Sequence, residues 1–413
     1  MASSTVSAQP RPQLQYLTDV LDELRARGTH FRLRVLQDAQ APVCHYDGRE
    51  VINLASNNYL GLCNDPRLEE AAIAATRKYG AGSGAVRTIA GTMSLHMQLE
   101  EKIAAFKNVE ACVVFQSGFA ANAGTVSAIL GKDDFIISDE LNHASIIDGA
   151  RLSRAKIKVF RHKDVAHAEE LLKEVASEPG HKLVITDGVF SMDGDIGPVD
   201  KLAALADTYN AIMMVDDAHA SGVLGRNGRG SIDHFGMHGR VDIQVGTLSK
   251  AIGVLGGYVC GSRDLIDYLY HRARPFLFST SHPPSVAASC IAAFDILEQE
   301  PERIERLWEN TRYFKQQLAS AGFDIGGRST PASETPITPI MMPAKGSIGD
   351  GRRAMDFSRA LFDAGVMATG IAFPTVPEGK ARVRTIMTSE HTRPQIDRAL
   401  ETITSVGKRS GIV

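Results

Sequence analysis

No apolar run in this 413-residue chain is long enough to cross a bilayer, and its first residues, MASSTVSAQPRPQ, lack the apolar core of a signal peptide. No membrane partner is expected, and residues 1–13 read as a short disordered lead-in. Cysteine is sparse: Cys44, Cys63, Cys112, Cys260 and Cys290 are odd in number, widely scattered and form no CxxC pair. Neither a disulfide framework nor a metal site such as zinc is indicated, and a reducing cytoplasm fits. An excess of charge of one sign is lacking too. The net charge of −3 gives no reason to expect nucleic acid or an anionic membrane surface as partner.

The glycine fingerprints of nucleotide sites are also missing. The glycine-rich stretch GAGSGAVRTIAGT, residues 80–92, matches neither the Walker A pattern nor a GxGxxG placed straight after an early strand. That argues against a nucleotide-binding oxidoreductase. Two readings of the stretch stay open: a backbone that approaches a phosphate closely, or a flexible loop at a subunit boundary. No internal repeat is evident.

What is present is the composition of a soluble globular protein, 44% hydrophobic and 23% charged, in a chain long enough for one large domain plus a smaller one. Residues 14–27 have the spacing of an amphipathic helix, of a kind that often packs on a partner subunit. A short strand is expected over 51–55, a turn over SNNYLGL (56–62), and a helix from Pro66 through Lys78. From residue 95 onward helix and strand alternate, with strands over 111–115, 134–138, 157–160, 183–186, 211–215 and 241–245, and a further apolar run over 256–260. Strands separated by crossover helices make a mostly parallel sheet with helices on both faces. Two long helical patterns, 283–300 and 302–321, lead out of it. Beyond them lie a strand interrupted by prolines (335–342), a helix (353–364), an apolar run (366–372), a strand (383–387) and a helix (394–408), the order of a small α+β domain. The expected division is an N-terminal helical segment over 1–50, a large domain over 51–300 and a small C-terminal domain over 301–413.

Open α/β sheets place their chemistry at the carboxyl ends of strands, and several of these strands end in polar residues. VDDAHASG (215–222) supplies Asp216 and His219, and VDIQVGTLSK (241–250) supplies Thr247, Ser249 and Lys250. Each segment alone has an ordinary reading, with Lys250 starting a helix on a solvated face and Asp216 and Asp217 capping a strand. Together they make a socket for pyridoxal 5′-phosphate (PLP): the lysine forms the Schiff base, and the aspartate pairs with the pyridinium nitrogen so that the ring serves as an electron sink. Ser117, Gly118 and Phe119 follow a strand and open a helix, where free N–H groups and the helix dipole favour a phosphate, although N-capping by Ser117 explains the same residues. His143 in DELNHASIIDGA is placed to stack on a flat ring or to be satisfied by its neighbours at a helix start, and Ser191 in TDGVFSMDGDIGP to hydrogen-bond a cofactor hydroxyl.

SNNYLGL, SDELNHASIIDGARLS, TDGVFSMDGDIGP, VDDAHASGVLG, GTLSKAIG with GGYV, RPFLFSTSHPP and ARVRT together resemble the α-oxoamine synthase family of fold-type I PLP enzymes, over about residues 50 to 390. The resemblance implies a fold-type I PLP-dependent transferase acting as a homodimer. It implies that Lys250 carries the cofactor, that Asp216 faces the pyridine nitrogen, that His219 donates to the ring hydroxyl, and that His143 stacks on the ring with Ser191 beside it. Ser117, Gly118, Phe119 and Thr247 match phosphate contacts, and Ser279 and Thr280 match residues that reach the phosphate from the second subunit. Arg384, with Asn57 near it, matches the group that binds an amino-acid carboxylate, a task suited to a guanidinium. The implied activity is a Claisen-type condensation of a small amino acid with an acyl-CoA, releasing CoA. Glycine with acetyl-CoA, giving 2-amino-3-ketobutyrate, is the first expectation; the alternatives are the decarboxylating condensation of alanine with a pimeloyl thioester, as in biotin synthesis, and a broad specificity. QSGFAAN and GTLSKAIGV depart from the glycine-using branch and leave the acyl chain open. A catalytically silent subunit of the same fold would lack the lysine, and Lys250 argues against it.

Overall fold

The computed structural model describes residues 12–30, 32–328, 330, 332–343 and 349–413. The lead-in expected over 1–13 lies outside these residues except for Pro12 and Gln13, which begin the 3-10 turn Pro12–Leu14 ahead of helix Gln15–Arg27.

The centre is a seven-stranded sheet whose order across is Ala111–Phe115, Gly257–Gly261, Ile243–Thr247, Ile212–Asp216, Lys182–Asp187, Phe135–Asp139 and Lys156–Phe160. Every pairing is parallel except the two made by Gly257–Gly261. Only nine residues, 248–256, separate that strand from Ile243–Thr247. This is too short for a crossover helix, so the chain returns antiparallel. The alternation along each strand divides the apolar residues between two cores: Leu183, Ile185, Met214 and Val245 lie in one, and Val184, Met213 and Val215 in the other. Helices Gly118–Ile129 and Ala144–Ser153 cover the first face; Val165–Val175 and Val199–Thr208 cover the second.

Two smaller sheets lie outside it. Ile337–Met341, Arg382–Ile386 and Thr369–Ile371 form an antiparallel sheet, the α+β unit expected from the later part of the chain. Val43–Tyr46 and Arg49–Asn53 form a hairpin, and Val366–Met367 joins it in parallel. The hairpin turns at Asp47 and Gly48, both with positive φ (50° and 79°), the backbone that a two-residue Asp-Gly turn adopts. The stretch before residue 50, read as helical, thus holds a helix and a strand. The apolar run 366–372 is split at Ala368 between two sheets. One apolar cluster, from Ile52 through Leu248 and Leu307 to Ile386 and Val406, joins the small sheets to the large one across the boundary expected near residue 300. Among the described residues no helix is long and apolar enough to cross a membrane.

Candidate active site

The parallel strands deliver their carboxyl ends to one edge of the central sheet, and the polar residues expected there do collect. Beyond strand Ile243–Thr247, Thr247 donates through Oγ1 to the carbonyl of Gly256 (2.9 Å) and lies 2.8 Å from Ser249 Oγ. These contacts clamp the turn that carries Lys250. No hydrogen bond or ion pair reaches the Lys250 ammonium among the described residues, and burial pushes it down to about 8 against the opposing pull of Asp216 and Asp187.

Asp216 ends strand Ile212–Asp216 and is buried. Its Oδ1 accepts from the N–H of Ala218 (2.8 Å) and its Oδ2 from Asn122 Nδ2 (2.6 Å). Asp217 follows at once and, by the strand alternation, turns to the other face, where it meets Lys107 (2.8 Å) and the N–H and hydroxyl of Ser231. Only one of the two adjacent carboxylates therefore faces the site. Asp187, opposite Asp216 on the neighbouring strand, accepts the backbone N–H of His143 (2.9 Å); burial and then the Asp216 charge hold its carboxyl well above the usual range.

His219 stands 2.8 Å from the hydroxyl of Tyr59 through Nδ1. Burial keeps the phenol protonated, and its engagement of Nδ1 leaves Nε2 as the ring nitrogen available to other partners. Burial, with Lys250 and Arg384 nearby, holds this imidazole well below its ordinary range and hence neutral. Tyr59 was not singled out from the sequence, although it lies within SNNYLGL. Asn57, two residues before it, has a buried Oδ1 with no protein partner.

Ser117 caps helix Gly118–Ile129, its side chain accepting from the N–H of Ala120 (3.1 Å). The ordinary reading of that serine is therefore correct as far as it goes, yet the N–H groups of Gly118 and Phe119 have no acceptor inside the helix and point outward from its positive end. The backbone is crowded here: a Cβ on Gly257 would come within 2.4 Å of the Ser117 carbonyl oxygen, and one on Gly118 within 3.4 Å of Thr247. The Thr280 carbonyl accepts from Gln116 Nε2 (2.7 Å), just ahead of this helix, and Thr280 bridges to Val86. Arg87 turns inward to a paired contact with Glu100 (2.8 and 3.0 Å), so within 80–92 the one cation is taken up by a buried ion pair.

Arg384, on strand Arg382–Ile386, donates to the Ser191 carbonyl (3.0 Å) and has no carboxylate partner among the described residues; burial lowers its guanidinium from the ordinary value. Arg382, on the same face of that strand, is the opposite case, ion-paired with Asp193 and bonded to the carbonyls of Met192 and Lys380. A lysine without a partner among the described residues, a carboxylate held by donors, a neutral imidazole, a helix N-terminus with free amides and a guanidinium without a carboxylate partner among those residues form a set that fits a phosphorylated pyridine aldehyde and a carboxylate substrate.

The fold and this set of strand-end residues define a fold-type I PLP-dependent transferase. The chain belongs to the aminotransferase class I and II family, which it matches over residues 49–403, and within it to the α-oxoamine synthases. It is 58% identical over 398 residues to the 8-amino-7-oxononanoate synthase of Symbiobacterium thermophilum, covering 96% of this chain and 99% of that one. It is 54% identical over 400 residues to the 8-amino-7-oxononanoate synthase of Thermoanaerobacter pseudethanolicus, covering 97% and 98%. Among solved structures it is similar to a lysine-to-alanine variant of serine palmitoyltransferase from S. paucimobilis with a bound PLP–myriocin aldimine, with a TM-score of 0.89, 31% identity and coverage of 97% of this chain and 99% of that one.

Proposed function

We propose that this chain condenses alanine with a pimeloyl thioester, with loss of carbon dioxide, as an 8-amino-7-oxononanoate synthase. The site observation that carries the chemistry is Lys250, a lysine lowered to about 8 by burial, with no partner among the described residues and in the opposing fields of Asp216 and Arg384. The substrate pair is supported by the relatives. Glycine with acetyl-CoA rested on short runs around the cofactor, whereas identity of 58% and 54% to 8-amino-7-oxononanoate synthases extends over nearly the whole chain, where the walls of an acyl pocket are also encoded.

Bound PLP supplies the electron sink for a carbanion at the α-carbon of the amino acid. In this reading Lys250 holds the cofactor and, with burial favouring its free amine relative to an exposed lysine, takes up and returns the α-proton. Asp216 keeps the pyridine nitrogen protonated, and His219 donates from Nε2 to the ring hydroxyl. His143 covers the ring face with Ser191 beside it. Ser117, Gly118, Phe119 and Thr247 hold the phosphate. Ser279 and Thr280 complete that cradle across the interface of a homodimer. Arg384, with Asn57 near it, binds the amino-acid carboxylate. The division at about residues 50 and 300 into N-terminal, large and small parts goes with this reading, as does a cytoplasmic location, which suits five free cysteines.

The deciding measurement is kcat/KM for alanine with pimeloyl-CoA beside glycine with acetyl-CoA. A clear preference for the first pair is expected. Preference for the second overturns the substrate assignment, and comparable values make the chain a broad α-oxoamine synthase. The shared cradle is tested by mixing Lys250→Ala protein with a Ser279→Ala/Thr280→Ala variant, which should restore activity once subunits exchange; no recovery removes the interface assignment.

A further inference from the structure

Four side chains form a hydrogen-bonded chain, and two of them, Asn122 and Ser145, have no role in the proposed function. Asn122, on helix Gly118–Ile129, donates from Nδ2 to Asp216 Oδ2 (2.6 Å) and to Ser145 Oγ (2.9 Å). Ser145, at the start of helix Ala144–Ser153, lies 2.7 Å from His143 Nδ1 through its hydroxyl and donates its backbone N–H to the same nitrogen (3.2 Å). Asn122, Ser145 and Asp216 are all buried.

The direction of each hydrogen follows from the end of the chain. The Asp216 carboxylate accepts at both oxygens, from Ala218 N–H and from Asn122, so the amide nitrogen of Asn122 faces it. That orientation leaves Asn122 Oδ1 buried without a partner, a cost that the opposite orientation would replace with an oxygen against a carboxylate. The second hydrogen on Nδ2 goes to Ser145 Oγ. The serine hydroxyl, already an acceptor, sends its single hydrogen to His143 Nδ1. His143 Nδ1 therefore accepts twice and carries no hydrogen. If the ring took a second proton, Nδ1–H would face two donors, so the backbone N–H of Ser145 would lose its acceptor and the serine hydroxyl would have to turn its hydrogen elsewhere in a buried place.

We propose that Asn122 and Ser145 are positioning residues that lock His143 as the neutral Nε2–H tautomer and couple its orientation to Asp216. His143 then offers the cofactor and substrate side a hydrogen-bond donor and not a base. The Asp216, Lys250, Asp187 and His219 groups that surround it act on a ring whose state is already set by this chain. The inference rests on the proposed site, but its test does not depend on which amino acid or thioester is used.

The test is nitrogen NMR of histidine-labelled holoenzyme without substrate, with the His143 signals identified by their loss in His143→Gln. Wild-type protein should show a neutral ring with its hydrogen on Nε2 throughout the range around neutrality. A ring carrying hydrogen on Nδ1, or an imidazolium near neutral pH, overturns the proposal without any other variant. Asn122→Ala frees Ser145 Oγ to accept, so His143 should protonate at higher pH, the acid limb of the kcat profile should move up with it, and kcat should fall about tenfold, the scale seen when partners that orient a working imidazole are removed. Ser145→Thr, which keeps the hydroxyl, should retain the wild-type titration. An unchanged His143 titration in folded, PLP-bound Asn122→Ala also overturns it.

Discussion

Two lysines stand near two adjacent aspartates, and they have different uses. Lys107 has no exposed side-chain surface and is saturated by Asp217 (2.8 Å), Ser221 (3.3 Å) and the Arg229 carbonyl (2.6 Å). Lys250, on the site side, feels the charge of Asp216 but has no hydrogen-bond or ion-pair partner among the described residues. A buried charge whose hydrogens are all taken is part of the scaffold, because moving it would expose an uncompensated partner. A charge left short of partners is held at a cost that a ligand can relieve. Arg382 and Arg384 repeat the contrast two residues apart on one strand.

The largest expected effect comes from Lys250→Ala. It should abolish the visible band of bound PLP and lower condensation by about 10³-fold or more, the span of positioned proton transfer, with no loss of thermal stability. Retained turnover with an unchanged absorbance band would remove Lys250 from the chemistry.

Next comes the scaffold pair. Asp217→Ala leaves the Lys107 charge buried without its carboxylate and should cost about 3 to 5 kcal/mol of stability in denaturant titration, while the molecules that remain folded bind PLP normally. Were Asp217→Ala as stable as wild type but without activity, the two aspartates would have been assigned the wrong way round.

Asp216→Asn should be milder for the fold and specific for rate. PLP stays bound, but an amide cannot hold the pyridine nitrogen protonated, and activity should drop by about a hundredfold. Activity within a few-fold of wild type is the outcome that rejects the role.

The smallest effect concerns an ion pair between the two extremes. His162 lies between Asp139 and Asp195, 2.9 Å from each, and helps fasten the loop that carries Ser191. Burial works against its charge, but the two carboxylates outweigh it and raise the imidazole to about 9. The folded value is above the unfolded one of about 6.5, so this stabilisation is complete below that pH and is lost as pH rises through about 9. The melting temperature of wild type should therefore fall by a few degrees across that window relative to His162→Gln. Parallel curves would show that His162 titrates normally.

Much of this was legible in the chain itself. The strands over 111–115, 183–186 and 241–245, and the helix from Pro66, appear within a residue or two of where periodicity put them, because burial on both faces writes a continuous apolar run and a proline marks a helix start. Lys250, Asp216, His219 and His143 were readable as polar groups at strand ends. The hairpin of Val43–Tyr46 with Arg49–Asn53 was available from its Asp-Gly turn and was passed over. Other features had no local signal. Asn122 reaches Asp216 across 94 residues of sequence, and Tyr59 reaches His219 across 160. Whether Asp216 or Asp217 faced the site, and whether Lys107 or Lys250 was spent on an ion pair, depended on which strands became neighbours. Period, burial and order of the elements are local properties of the chain, since they follow from each residue's own preference for water or core. Which polar groups end up satisfied is a property of the folded arrangement, because hydrogen-bond partners are chosen by distance in space and not along the chain.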